Sequence, residues 1–168
     1  DFPAEVASSL RYLQGVGRHE AGDLPGAITA YAAVPYGTPR YFTARLRLAV
    51  VQAESGARSA ARDTLLDLLR TQPFGTRIQQ QEAEQVQSLA LLDLARLYYA
   101  AGDATAAGAL YAQVDGRSRW RSRADLEGGW ASLLTGDIAA AVAGGEAAAA
   151  ASYPVSYTHL TLPTTYTV

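Results

Sequence analysis

The sequence predicts an all-α fold built from about four antiparallel helix hairpins. Most segments place apolar residues 3.6 positions apart, as in the run from Leu89 through Leu92 to Tyr98. Four glycines interrupt these helical segments, and three of them are followed directly by aspartate. Glycine supplies the positive φ that ends one helix, and aspartate caps the next helix. Each glycine is therefore predicted to be the turn of a hairpin.

The four turn glycines divide the chain into eight predicted helices. They are Gly22, Gly56, Gly102 and Gly136. They stand 34, 46 and 34 residues apart, counted from 22 to 56, from 56 to 102 and from 102 to 136. The predicted helices span residues 4–20, 23–34, 39–55, 57–71, 76–101, 103–114, 119–135 and 137–152.

The long middle interval contains about 12 extra residues, which "PFGTRIQQQEAEQVQ" supplies. Thr76 and Gln79 occupy the two positions of a capping box, so the fifth helix is predicted to begin there. The polar stretch from Gln79 to Gln87 is predicted to project from the other helices.

The spacing of small and large residues around the turn glycines repeats from hairpin to hairpin. Small residues stand seven positions before the glycine and five after it: Gly15, Ala49, Ala95, Gly129, and Ala27, Ala61, Ala107, Ala141. Large residues stand nine positions after it in three hairpins: Tyr31, Leu65 and Tyr111. Gly145 departs from this pattern in the fourth hairpin. Prolines follow seventeen positions after the first two glycines, at Pro39 and Pro73.

With its 34-residue period, the chain resembles a tetratricopeptide-repeat protein over residues 8 to 152. The resemblance implies a right-handed α-solenoid whose concave groove binds a peptide or a helix of another protein. It also implies that residues 13, 10, 6 and 3 positions before each turn glycine line that groove. Those positions hold Ser9, Tyr12, Val16, His19, Thr43, Leu46, Val50, Ala53, Leu89, Leu92, Arg96, Tyr99, Arg123, Leu126, Trp130 and Leu133.

Six of these residues are the predicted partner-binding site: Tyr12, His19, Arg96, Tyr99, Arg123 and Trp130. Aromatic side chains favour an apolar or aromatic-anchored partner segment, and the two arginines could bind its acidic groups. Ordinary packing between helices is the alternative for the three aromatic residues, because large residues at helical spacing are usually core.

Composition and motifs give no indication of catalysis, a cofactor or a metal. Cysteine is absent, which excludes disulfides and cysteine-based metal sites. His19, Glu20 and Asp23 cluster at a helix end, but the second histidine of a zinc motif is missing. Neither a phosphate-binding glycine loop nor a Gly-x-Ser-x-Gly motif occurs. The chain is therefore predicted not to be an enzyme.

Nucleic acid is not favoured as a partner. The formal charge is -2, so the chain has no strong positive field. "DGRSRWRSRAD" does gather four arginines around Trp120, which could bind phosphates and stack a base. Nearby acids offset that charge, so a solvated face with a packed Trp120 is favoured over contact with nucleic acid or with an acidic protein.

Protein binding by a scaffold is the leading functional hypothesis. Alternatives are a regulatory or substrate-positioning segment of a larger enzyme or signalling protein, and a cell-envelope assembly factor. No apolar run of about 18 residues occurs, so no membrane span is expected. "AYAAVPYGTPRYFTARLRLA" resembles linkers of bacterial envelope scaffolds, and lysine and asparagine are absent. The linker resemblance favours a lean towards the periplasmic side of the envelope, and the missing residue types favour a bacterial source.

Residues 1–153 are interpreted as the repeat domain, in fragment form, and residues 154–168 as a non-native tail. From Pro154 onward the chain has no acid and no arginine. "VSYTHLTLPT" resembles a translated sequencing adapter. A natural β-prone strand is the alternative. The tail is excluded from the fold, and His159 with it, as for any fusion scar.

Overall fold

The structure is a computed structural model that describes residues 3–151, and all regular structure in that range is helical. The helices are α1 (Ala4–Glu20), α2 (Leu24–Ala32), α3 (Tyr41–Glu54), α4 (Arg58–Arg70), α5 (Arg77–Ala100), α6 (Ala104–Ala112), α7 (Arg121–Leu134) and α8 (Ile138–Ala150). The all-α prediction is confirmed for these residues, and each helix end lies within two residues of its predicted position. The predicted non-native tail, residues 154–168, lies outside the described residues.

The four predicted turn glycines have the backbone conformation that their role requires. Their φ angles are positive, at 78° for Gly22, 85° for Gly56, 85° for Gly102 and 81° for Gly136. After three of them, an aspartate side chain accepts a hydrogen bond from the N–H three residues further on: Asp23, Asp103 and Asp137. The glycine therefore ends one helix, and the aspartate begins the next.

Helices pack mainly on their neighbours in the chain. Within hairpins, α1 contacts α2, α3 contacts α4, α5 contacts α6, and α7 contacts α8. Between hairpins, α2 contacts α3, α4 contacts α5, and α6 contacts α7. We call these three contacts the internal junctions. The helix order therefore produces one continuous series of contacts from α1 to α8.

Small residues allow the close helix crossings inside the hairpins. A Cβ added at Gly15 would lie 2.6 Å from the ring of Tyr31, and one at Gly144 would lie 2.6 Å from the carbonyl oxygen of Asp125. The alanines at the predicted crossing positions of the first three hairpins, Ala27, Ala61 and Ala107, are fully buried. The tight crossings explain why these positions hold glycine and alanine.

The apolar core forms two clusters. The smaller one lies between α2 and α3 and includes Tyr31, Ala44 and Leu48. The larger one extends from α3 to α7 and includes Leu65 and Leu92. By contrast, α8 has no buried residue.

The prediction that the stretch from Gln79 to Gln87 projects from the other helices is wrong from Ala83 onward, whereas residues 80–82 are exposed. Ala83 is buried, and the Gln87 amide donates to the carbonyl oxygens of Leu68 at 2.9 Å and Thr71 at 2.8 Å. The Gln85 amide oxygen accepts hydrogen bonds from the loop between α6 and α7. The glutamines satisfy backbone groups at the ends of neighbouring helices, which a polar sequence pattern alone does not reveal. The predicted capping box at Thr76 is confirmed.

Candidate functional site

Two of the six predicted partner-binding residues are exposed aromatic side chains. Trp130 on α7 is 58% exposed, and Tyr99 near the end of α5 is 37% exposed. Leu133, one turn beyond Trp130, is also exposed. We call Tyr99, Trp130 and Leu133 the aromatic face. Exposed side chains of this size are typical of residues that anchor a protein interface.

The helices that carry the aromatic face run in the same direction. A Cβ at Gly128 of α7 would lie 3.2 Å from Cβ of Tyr111 on α6, and one at Gly108 of α6 would lie 3.9 Å from Cβ of Ala131 on α7. Residue numbers thus rise along α6 while they fall along α7, so these two helices are antiparallel. Because α5 and α6 form a hairpin, α5 and α7 are parallel.

An ion pair one helical turn before Tyr99 and Trp130 fixes the register of α5 against α7. The Arg96 Nε and Nη2 atoms donate to the two carboxylate oxygens of Glu127 at 2.8 and 2.7 Å. Tyr99 follows Arg96 by three residues, and Trp130 follows Glu127 by three residues. In parallel helices this spacing places Tyr99 and Trp130 at the same level, each about one turn after a residue of the ion pair.

Three further groups join this ion pair into one polar network. Arg96 Nη1 donates to Asp93 Oδ1 at 2.8 Å, and the Tyr111 hydroxyl donates to Glu127 Oε2 at 3.0 Å. Arg123 Nε also donates to Glu127. The network links α5, α6 and α7, and it occupies all three nitrogens of the Arg96 guanidinium.

The ionisation of the network follows from its burial. Burial raises the pKa of Asp93 to about 6, and the nearby charge of Arg96 offsets only part of that rise. Burial also acts to raise the pKa of Glu127. The hydrogen bonds and positive charges of Arg96 and Arg123 outweigh burial and hold that pKa below its usual value. Glu127 is therefore charged at neutral pH. Burial raises the pKa of the Tyr111 hydroxyl, and the negative charge of Glu127 adds to that rise.

The side chains of the two predicted site arginines, Arg96 and Arg123, differ in how free they are to bind a partner. Arg96 binds the carboxylates of Asp93 and Glu127 within this chain. The sequence hypothesis instead assigned Arg96 to an acidic group of a partner. Arg123 has a 53% exposed side chain and uses its Nε towards Glu127. Arg123 is therefore the better candidate for an acidic group of a partner.

The two predicted site residues on α1 lie far along the chain from the aromatic face and contact other parts of the chain. The Tyr12 ring packs on Tyr31, with centroids 5.8 Å apart, and the Arg40 guanidinium carbon lies 5.3 Å from the Tyr12 centroid. His19 Nε2 lies 2.6 Å from Glu54 Oε2 on α3. These contacts hold α1 to the helices that follow it.

His19 lies in a pocket of about 320 Å³, lined by Val16, His19, Glu20, Tyr31 and Arg47. This volume is near the lower limit for small-molecule sites. The lining has no serine, threonine or cysteine to act as a nucleophile. Burial raises the pKa of Tyr31 to about 12, so its hydroxyl keeps its proton at neutral pH. Among residues 3–151, no cluster of three or more histidine, aspartate or glutamate side chains could hold a metal ion.

The arginine cluster around Trp120 is largely occupied within the chain. Arg121 donates to the carbonyl oxygen of Val114 at 2.9 Å and binds the carboxylate of Asp125. Arg119 stacks over the Trp120 ring, and that ring packs against the larger core cluster. These contacts favour the packed interpretation of Trp120.

Sequence reasoning missed two features, one in the polar network and one in the loops that precede α3 and α5. The first is the buried pair of acids around Arg96, whose sequence signals were an Asp93–Arg96 spacing of three residues and an Arg123–Glu127 spacing of four. The second is a repeated Pro-aromatic-Gly-Thr motif at residues 35–38 and 73–76. Its aromatic residues, Tyr36 and Phe74, meet edge to face with centroids 4.8 Å apart.

Two comparisons with known proteins did not assign this chain to a family. A scan against protein-family models and a search of curated proteins both found no match to this chain. The tetratricopeptide resemblance therefore rests on the spacing within the chain itself. None of the described helices is long and apolar enough to cross a membrane.

Proposed function

We propose that this chain is a non-catalytic scaffold of the tetratricopeptide type, a right-handed α-solenoid that binds a peptide or helix of another protein. Three observations support the proposed architecture. The turn glycines stand at 34-residue intervals on either side of one insertion, consecutive helices pack in chain order, and small residues occupy the helix crossings. Repeat proteins of this kind bind partners on extended surfaces formed by successive repeats.

The observation that carries the proposed binding role is the exposure of Trp130, Tyr99 and Leu133. A helix or peptide with apolar side chains at helical spacing could cover this surface and remove its aromatic rings from water. The polar network one turn before it holds α5 and α7 in fixed register, so the surface is organised before a partner arrives. Arg123 at its edge could contact an acidic group of that partner.

The proposal is tested by selecting peptides from a display library on the full chain and measuring their dissociation constants by titration calorimetry. Trp130→Ala should weaken the selected peptides at least about thirtyfold, as expected for an interface hot spot. Ile78→Ala is the matched control, because Ile78 is also exposed and lies about 30 Å along α5 from Tyr99. It should change binding less than about twofold.

Equal binding by both variants would show that the aromatic face is not the site. A selection that yields no peptide dependent on Trp130 would also contradict the proposal, provided that both variants keep the far-ultraviolet circular dichroism of the wild type.

A further inference from the structure

Two of the internal junctions, α2 with α3 and α6 with α7, have the same length. In each, the turn glycines on either side are 34 residues apart: Gly22 and Gly56, and Gly102 and Gly136. The helices that meet are also connected by loops of equal length. Residues at equal distances from the turn glycines therefore occupy equivalent places in the two junctions. The contacts of one junction thus indicate what the other can hold.

In the junction between α6 and α7, a tyrosine and an arginine bind one carboxylate. Tyr111 stands nine residues after Gly102, and its hydroxyl donates to Glu127 Oε2 at 3.0 Å. Arg96 stands six residues before Gly102, and its guanidinium donates to both oxygens of Glu127 at 2.8 and 2.7 Å. A hydroxyl and a guanidinium that converge in this way form a strong site for a carboxylate.

The junction between α2 and α3 has a tyrosine and an arginine but no carboxylate bound to them. Tyr31 is equivalent to Tyr111, Val16 to Arg96, and Arg47 to Glu127. Tyr31 is 1% exposed and Arg47 is partly buried. Within residues 3–151, neither the Tyr31 hydroxyl nor the Arg47 guanidinium has a hydrogen bond or an ion pair. These three equivalent residues all line the pocket of about 320 Å³ that contains His19.

Both polar groups of this pair are donors at neutral pH. Burial raises the pKa of Tyr31 to about 12, and the nearby positive charge of Arg47 offsets only part of that rise. The hydroxyl therefore keeps its proton, and a guanidinium has donors but no acceptor. A carboxylate has acceptors only, so it is the group that satisfies both side chains at once.

Acidic residues at the same pocket restrict the overall charge of a ligand. Glu20 lines the pocket, is exposed, and forms no ion pair with a described residue. Glu54 binds His19, and the negative charges of Glu20 and Glu54 both act on Tyr31. A ligand with only negative charge is repelled by these carboxylates, whereas an ammonium group is attracted to Glu20. The pocket therefore complements a molecule with one carboxylate and one ammonium group.

We propose that this pocket binds a free α-amino acid, whose carboxylate accepts from the Tyr31 hydroxyl and from Arg47 while its ammonium group faces Glu20. The ligand supplies to this junction the carboxylate that Glu127 supplies to the other. A volume of about 320 Å³ is enough for a molecule of this size. This inference does not depend on a peptide binding to the aromatic face.

Titration calorimetry of the full chain with each common α-amino acid measures this binding. At least one amino acid should bind with a dissociation constant below about 1 mM. Its amide has no carboxylate and should bind at least about tenfold more weakly. The corresponding acid without the amino group should bind about threefold more weakly, because Glu20 is exposed.

Substitutions in the pocket test which side chains hold the ligand. Arg47→Gln and Tyr31→Phe each remove one donor and should weaken binding at least about tenfold. Val16→Glu places a carboxylate of the chain itself in the pocket and should weaken binding at least about tenfold as well. Arg11→Gln is the control, because Arg11 is exposed on α1 and does not line the pocket. It should change binding less than about twofold.

Circular dichroism checks that each variant is folded, and Arg47→Met replaces Arg47→Gln if that variant is not. The proposal is overturned if no amino acid binds the wild type with a dissociation constant below about 1 mM. Binding of the amide as tight as that of the amino acid, or unchanged binding by Arg47→Gln or Val16→Glu, overturns it as well.

Discussion

Asp93 should make the stability of this protein fall as pH rises, and Asp93→Asn should remove that dependence. Burial raises the Asp93 pKa from 3.8 to about 6 in the folded state. The folded chain therefore holds the proton more tightly than the unfolded chain does. The stabilisation from this proton is fully present below pH 3.8 and is lost as pH rises through about 6.

The magnitude follows from the size of the shift. A shift from 3.8 to about 6 corresponds to about 3 kcal/mol, most of which is lost between about pH 4 and pH 7. An asparagine has no proton to lose, and its side-chain oxygen can still accept from Arg96. Relative to wild type, Asp93→Asn should therefore gain unfolding free energy steadily across this range.

Urea unfolding followed by circular dichroism, at several pH values between about 4 and about 7, measures the difference. Asp63→Asn is the control, because the Asp63 side chain is exposed on α4. A difference between Asp93→Asn and wild type that stays constant with pH would refute the reasoning. A difference that moves in the opposite direction would show that the attraction between Asp93 and Arg96 outweighs burial.

Three other predictions concern packing, the ion network and the tail. Gly15→Ala should destabilise the chain by about 1 to 3 kcal/mol, because its Cβ would lie 2.6 Å from the Tyr31 ring. Gly17→Ala in the same helix meets nothing within 4 Å and should stabilise the chain by up to about 1 kcal/mol in the same denaturation assay. Glu127→Ala breaks the largely buried pair with Arg96 and should cost about 3 kcal/mol, whereas a loss below about 0.5 kcal/mol would contradict a structural role. Deleting residues 154–168 should change unfolding free energy by less than about 1 kcal/mol, and a larger loss would show that the tail contributes to the fold.

The helices and turns were predictable because their signals are local. Gly102 needs a positive φ, Asp103 binds an N–H three residues away, and Thr76 and Gln79 bind each other's backbone. Each of these interactions lies within one turn of helix, so the residues that make it are adjacent in the sequence. The 3.6-residue apolar pattern between these signals then predicts which stretches are helical.

The candidate site was only partly predictable, because exposure depends on which helix packs next. Leu46, Leu92 and Leu126 stand at the same position before their turn glycines. The first two belong to the larger core cluster, while Leu126 is 43% exposed. Some of the groove positions implied by the resemblance are therefore core residues on α3 and α5. Of the aromatic residues at those positions, Tyr99 and Trp130 are exposed.

The sequence by itself determined each helix end to within two residues, since capping and turn geometry act over a few residues. Tertiary structure alone decided that Arg96 binds Glu127, 31 residues further along the chain, and that Gln87 binds the end of α4. Those partners meet only because parallel and antiparallel helices pack in a fixed register, which no short pattern encodes. The physical reason is that a charge or amide is satisfied by its neighbours in space, and helix packing chooses those neighbours.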